Sequence, residues 1–125
     1  MFVFNFYPFF SFFVFIAAAW IFRKVNGQWQ QEAKLVPQGY KPVYGQLAFF
    51  GTSVSINYDG TVVFVGGYHD NYGIGANWVF GYNATTTTWS QQGNKLFGTD
   101  YSGQPFQGTS VAITPDGNTA IFGGN

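Results

Sequence analysis

The amino-acid sequence predicts an all-β protein built from tandem units of four short antiparallel strands. Three observations carry this. Segments recur at a fixed offset: Gly51-Thr52-Ser53-Val54 returns as Gly108-Thr109-Ser110-Val111, Asp59-Gly60 as Asp116-Gly117, and Gly66-Gly67 as Gly123-Gly124, each 57 residues on. No stretch after residue 22 holds a helical period; short β-rich runs alternate with Gly, Asn and Asp instead. And Asp-Gly twice stands between two such runs, where glycine takes the positive φ that a tight hairpin corner requires. A period of this length marks one supersecondary unit used more than once.

Taken in order, the elements fall out of this repeat. With small drift, Ile16-Ala17-Ala18-Ala19-Trp20-Ile21-Phe22 corresponds to Ile74-Gly75-Ala76-Asn77-Trp78-Val79-Phe80, and Trp29-Gln30-Gln31 to Trp89-Ser90-Gln91. Residues 16–35 therefore supply the last two strands of one unit. The full unit follows: Ser53 to Asn57 with Val54 and Ile56 alternating, the Asp59-Gly60 corner, and the apolar run Thr61 to Val65. A loop from Tyr68 to Gly75 leads to the aromatic strand Asn77 to Tyr82. The polar turn Asn83 to Thr87 then leads to a fourth strand, Thr88 to Leu96. Ser110 to Thr114, the Pro115-Asp116-Gly117 corner and Thr119 to Phe122 open a third unit.

Four-stranded antiparallel units in tandem predict β-propeller-like blades, about two repeat units of an incomplete propeller. Val62 to Val65 fits an inner strand covered on both faces, and Trp78, Phe80 and Trp89 fit the aromatic packing between blades. Two units cannot close a ring, so apolar faces and strand edges stay open, and the chain is expected to associate with further blades or with itself. A joining of the N-terminal and C-terminal half-units into a two-sheet sandwich is the other way those edges could be covered.

These residues resemble FG-GAP-type propeller repeats, found in bacterial surface and secreted proteins and, more distantly, in integrin α-subunit heads. The resemblance rests on the run from Gly108 to Gly124, the Ile74–Phe80 run and the segment Trp89–Leu96, and spans residues 16–125. It implies a propeller fold and an extracellular or cell-surface location. Some members bind calcium through an Asp-x-Asp-x-Asp-Gly loop. Here the equivalent loop reads Tyr68-His69-Asp70-Asn71-Tyr72-Gly73, so only Asp70 and Asn71 could contribute side-chain oxygens. Calcium takes six to eight oxygen ligands. A polar turn closed by side-chain hydrogen bonds competes with that reading.

Residues 1–15 stand apart. Eight of the sixteen phenylalanines lie there, in an apolar run ending at Ile16 and three alanines. A secretory signal would read this way, yet no Lys or Arg precedes the run, and the alanines belong to the repeat. A membrane span needs about 20 apolar residues, and Asn5, Pro8 and Ser11 interrupt this one. A start within a larger reading frame is the third alternative.

Composition removes several functions. Charged residues make up 8% of the chain and the formal net charge is zero, so the cationic footprint of a nucleic-acid binder is missing. With no cysteine and one histidine, thiolate and multi-histidine metal sites are excluded within one chain. His69 lacks any nucleophile motif beside it. Asp59 and Asp116 occupy equivalent corners, which favours a turn role over an acid–base pair, and Glu32 and Asp100 show no partner. Gly73-x-Gly75 lacks the third glycine and helix of a phosphate loop. No catalytic residue and no cofactor beyond calcium is expected. The expectation is a non-catalytic binding or scaffold module presenting Tyr68, His69, Asp70, Asn71 and Tyr72 to a protein or glycan. An enzyme with its catalytic groups in further blades, and a fragment without independent function, are the alternatives.

Overall fold

The computed structural model of the chain describes residues 17–42 and 48–125; the Phe-rich segment 1–15 lies outside them. The fold is all-β. Strands β1 (Ala19–Val25) and β2 (Gln28–Leu35) form a two-stranded antiparallel sheet. β3 (Ser53–Ile56), β4 (Val62–Gly67), β5 (Ala76–Asn83) and β6 (Thr88–Gln91) form a four-stranded antiparallel sheet in sequence order, and β7 (Ser110–Ile113) and β8 (Ala120–Gly123) a final pair. A single helical turn, α1 (Asp70–Gly73), interrupts the β4–β5 connection. No closed ring of sheets forms among the described residues. Nor do the first and last sheets join into a sandwich, because they lie on opposite faces of the middle sheet.

Local chemistry explains the corners. β1 and β2 meet at Asn26-Gly27, both with positive φ (49° and 80°), the twist that suits the right-handed twist of a hairpin. At the Asp59-Gly60 corner, buried Asn57 accepts through Oδ1 from the Thr61 and Val62 amides, both at 2.9 Å. The Tyr58 amide donates to Pro115 O at 3.0 Å, which fastens this corner to its counterpart one repeat on.

Packing follows the period-two alternation of β4. Val63 and Val65 face the first sheet, in a core with Ala19, Ile21, Leu35, Phe50, Ala76, Trp78 and Phe80. Phe64 points the other way and stacks on Phe122 of the last sheet, centroids 6.2 Å apart. The Trp78 indole donates to Gln38 O at 2.9 Å, so its burial leaves no orphaned N–H. Each fully buried Val, Ile, Leu or Phe of this core contributes roughly 1.5–3 kcal/mol of burial free energy. The expected double-sided cover of Val62 to Val65 is present.

The repeat recurs in the backbone as well as in the letters. The Gly51 amide donates to Gly66 O and the Gly108 amide to Gly123 O, both at 3.0 Å. Phe49 and Phe106 share the same φ of 49°, and Gly51 and Gly108 have φ of 91° and 90°. At both glycines a Cβ would strike the neighbouring sheet: 2.8 Å from Ala18 O at Gly51 and 2.7 Å from Ala76 O at Gly108. Sheet one meets sheet two as sheet two meets sheet three. One expectation needs correction: the fourth strand ends at Gln91, because Gly93 turns at φ 73°, and Leu96 rejoins the sheet only through an isolated bridge to Asn77.

Candidate functional site

The Tyr68–Tyr72 segment sits where three connections converge: residues 36–42, the β4–β5 loop, and the stretch between β6 and β7. Its backbone is unusual. Asn71 (φ 49°, ψ 59°), Tyr72 (φ 60°, ψ 34°) and Gly73 (φ 84°) are all left-handed in succession, so α1 is a left-handed turn. That conformation costs roughly 1–2 kcal/mol per non-glycine residue, from the clash of Cβ with the carbonyl oxygen that follows. The surroundings hold it in place. The Asn71 amide donates to Lys41 O at 3.1 Å, the Gly75 amide to Asp70 O at 2.9 Å, and the Phe106 amide to Gly73 O at 2.9 Å. Gln104 Nε2 donates to Tyr72 O at 2.7 Å.

Asp70 anchors the turn from beneath. It is 1% exposed, and both carboxylate oxygens are engaged: Oδ1 accepts the Lys41 amide at 2.6 Å and Oδ2 pairs with Lys95 Nζ. Lys95 itself is mostly buried, with a side chain 13% exposed. A buried carboxylate keeps its charge at tolerable cost only when paired and hydrogen-bonded in this way. Both Asp70 carboxylate oxygens are thus engaged within the protein. Among the described residues no group of three His, Cys, Asp or Glu side chains comes together.

His69 lies in an aromatic box. Phe49 and Tyr68 stack with centroids 5.3 Å apart, Phe49 meets His69 edge-on at 5.3 Å, and Phe106 lies 6.3 Å from the imidazole. Phe49 and Phe106 are repeat-equivalent, so one backbone motif used twice supplies two walls. The buried Nδ1 of His69 has no hydrogen-bond partner among the described residues. Tyr72, 61% exposed, is the outward-facing member of the five. Sequence reasoning brought the five residues together but missed Lys41, Lys95, Gln104 and Phe106, which hold them. The one available signal was a lone Asp, between His69 and Asn71, in a chain so poor in charge.

The remaining carboxylates have local duties. Asp59 accepts from the Thr61 hydroxyl at 2.5 Å and its amide at 3.2 Å; Asp116 accepts from the Thr114 hydroxyl at 2.5 Å and the Asn118 amide at 3.0 Å. Those bonds, the hydroxyl ones first, hold both below the ordinary aspartate range. Glu32 pairs with Arg23 through two guanidinium nitrogens and accepts from the Trp89 indole at 2.7 Å, joining the first and second sheets. The Arg23 bond is the main reason its carboxyl lies low.

Comparison with protein-family models and with curated proteins finds no match to this chain.

Proposed function

We propose that this chain is part of an FG-GAP-type β-propeller acting as a non-catalytic recognition module at the cell surface or outside the cell. The observation that carries the recognition role is the left-handed turn at Asn71–Gly73, held on a buried ion pair and presenting Tyr72. Strained backbone that its surroundings over-determine clusters at ligand clamps and switch regions. A loop already fixed in shape loses little entropy on binding, which favours affinity. An exposed tyrosine beside the Asn71 and Gln104 amides suits the face of a sugar ring or a polar protein surface. The propeller part is supported by the matched close approaches of Gly51 to Ala18 O and Gly108 to Ala76 O, which set successive sheets at one repeated spacing.

A printed glycan array probed with the full chain and with Tyr72→Ala tests the glycan form first. The expected result is binding by the parent that disappears in the variant while the melting temperature stays put. An array without signal, or signal indifferent to Tyr72, overturns that form.

A further inference from the structure

Among the described residues the β1 edge of the first sheet and the β8 edge of the last lack the neighbour that their repeat equivalents have, and the two edges are complementary. β1 pairs only with β2, and β8 only with β7, among the described residues. In the middle sheet their repeat equivalents, β5 and β4, pair with each other along their length. Ile121, Phe122 and Gly123 correspond to Phe64, Val65 and Gly66; Ala19, Trp20, Ile21 and Phe22 correspond to Asn77, Trp78, Val79 and Phe80.

Exposure tells the same story. Trp78 and Phe80 are 0% and 3% exposed, whereas Trp20 and Phe22 are 52% and 53% exposed. Phe64 is 1% exposed and its equivalent Ile121 is 71% exposed. Val54 and Ile56 also lie bare on β3. They line a groove of about 460 Å³ with Ile21, Val63 and the β1 backbone, on the side where a β4-like strand beside β1 would lie.

We propose that a second copy of this chain fills this groove, its β8 pairing antiparallel with β1 to build a composite sheet ordered β7–β8–β1–β2. The register follows from Phe64↔Val79, Val65↔Trp78 and Gly66↔Asn77. It sets Ile121 of the second copy opposite Ile21, Phe122 opposite Trp20, and Gly123 opposite Ala19. Ile121 of the second copy then enters the groove lined by Val54 and Val63, and the Phe64–Phe122 contact within one chain, carried over by the repeat, directs it toward Val65. This single contact covers both bare edges, the Val54–Ile56 face and the Ile121 face together. The chain carries no net charge, so copies meet without long-range repulsion. The contact is heterologous and repeats head to tail until a rotation closes it. The ring size alone rests on the propeller reading. The described residues of each chain bring eight strands, enough for two sheets of four once the half-sheets are joined, so roughly four to eight blades means two to four copies.

The absence of cysteine makes the test direct. Val79 O accepts from Gln92 at 2.7 Å, and Asn77 exchanges bonds with Leu96, so both turn their hydrogen bonds away from β4. Phe64–Val79 is therefore a non-hydrogen-bonded pair, the closer kind, and the equivalent Ile121–Ile21 pair falls within disulfide reach. Full-length Ile21→Cys and Ile121→Cys are made separately, mixed and oxidised. A mixed disulfide dimer, identified by its linked peptide, is expected well above the level given by Ile121→Cys with Phe22→Cys, whose thiol lies on the opposite face. In sedimentation the parent chain is expected to run as two to four copies and Ile121→Glu, altered at an exposed site, as a monomer. A parent that sediments as a monomer, unchanged by Ile121→Glu, overturns the proposal. Mixed dimer at only the level of the opposite-face control overturns it too. Cross-linking in register within an open fibre sustains the joint and defeats the ring.

Discussion

Removing Lys95 should damage the protein more than its position in a surface connection suggests. Lys95→Met leaves the Asp70 carboxylate buried with only the Lys41 amide as partner. Breaking a buried ion pair from one side typically costs 3–5 kcal/mol. The Asp70 side has no route to water and the Lys95 side has a partial one, with side chains 1% and 13% exposed. Lys95→Met is thus expected to cost about 3 kcal/mol and Asp70→Asn about 2 kcal/mol. The double variant should cost no more than Lys95→Met alone, a coupling of about 2 kcal/mol. Urea unfolding followed by tryptophan fluorescence, with Trp78 the fully buried one of the four tryptophans, reads these differences. All variants are compared at one protomer concentration, because self-association shifts midpoints by mass action. Additive single costs, or a Lys95→Met cost under about 1 kcal/mol, would refute the buried-pair reasoning.

Three further outcomes follow from the described contacts. Gly108→Ala should cost about 3 kcal/mol, from left-handed strain and a Cβ driven into backbone atoms, while Gly27→Ala, whose Cβ meets open space, should cost about 1 kcal/mol; paired urea titrations check the contrast. Glu32, Asp59 and Asp116 all titrate low, so each favours the folded state above the ordinary carboxylate range, and that contribution fades as acid protonates the folded carboxylates. Melting temperature should therefore fall below Glu32's ordinary value of 4.5, and less steeply in Glu32→Gln. Melting curves in EDTA and in excess calcium should coincide, since Lys95 and Lys41 already pair with Asp70; a calcium-dependent rise would support the metal reading.

Most of the strand plan was legible because it rests on local chemistry. Asp-Gly at 59–60 and 116–117, with apolar runs on either side, specifies a hairpin whatever surrounds it. Trp78 and Phe80 were legible as packing residues for the same reason: they alternate on a β-rich segment. The end of β6 was not, since Gln92 to Leu96 carries no strong breaker besides Gly93. The left-handed turn was illegible too. Asn71 tolerates positive φ, but Tyr72 does not favour it, and it is imposed by the Asn71 amide donating to Lys41 O and by Gln104 and Phe106 donating to the turn, residues that lie some 30 positions away on either side. From the sequence, Asp70 reads as a calcium ligand or as a member of a polar turn closed by side-chain hydrogen bonds. Its burial depends on Lys95, and no spacing rule links residues 25 apart across a sheet.

The recurrence of one hairpin within the chain also poses a problem of self-discrimination during folding. β5 meets two candidate neighbours of the same pattern, β4 and β8. The connection to β4 runs through the eight residues 68–75, and that to β8 through the 36 residues 84–119. Loop-closure entropy favours the nearer partner by about 1.3 kcal/mol, a margin of roughly tenfold. Divergence between the copies widens it: Val62-Val63-Phe64-Val65 offers β5 a more apolar neighbour than Thr119-Ala120-Ile121-Phe122. The imperfection of the repeat thus has a physical use, keeping a transient mispairing from becoming a second fold.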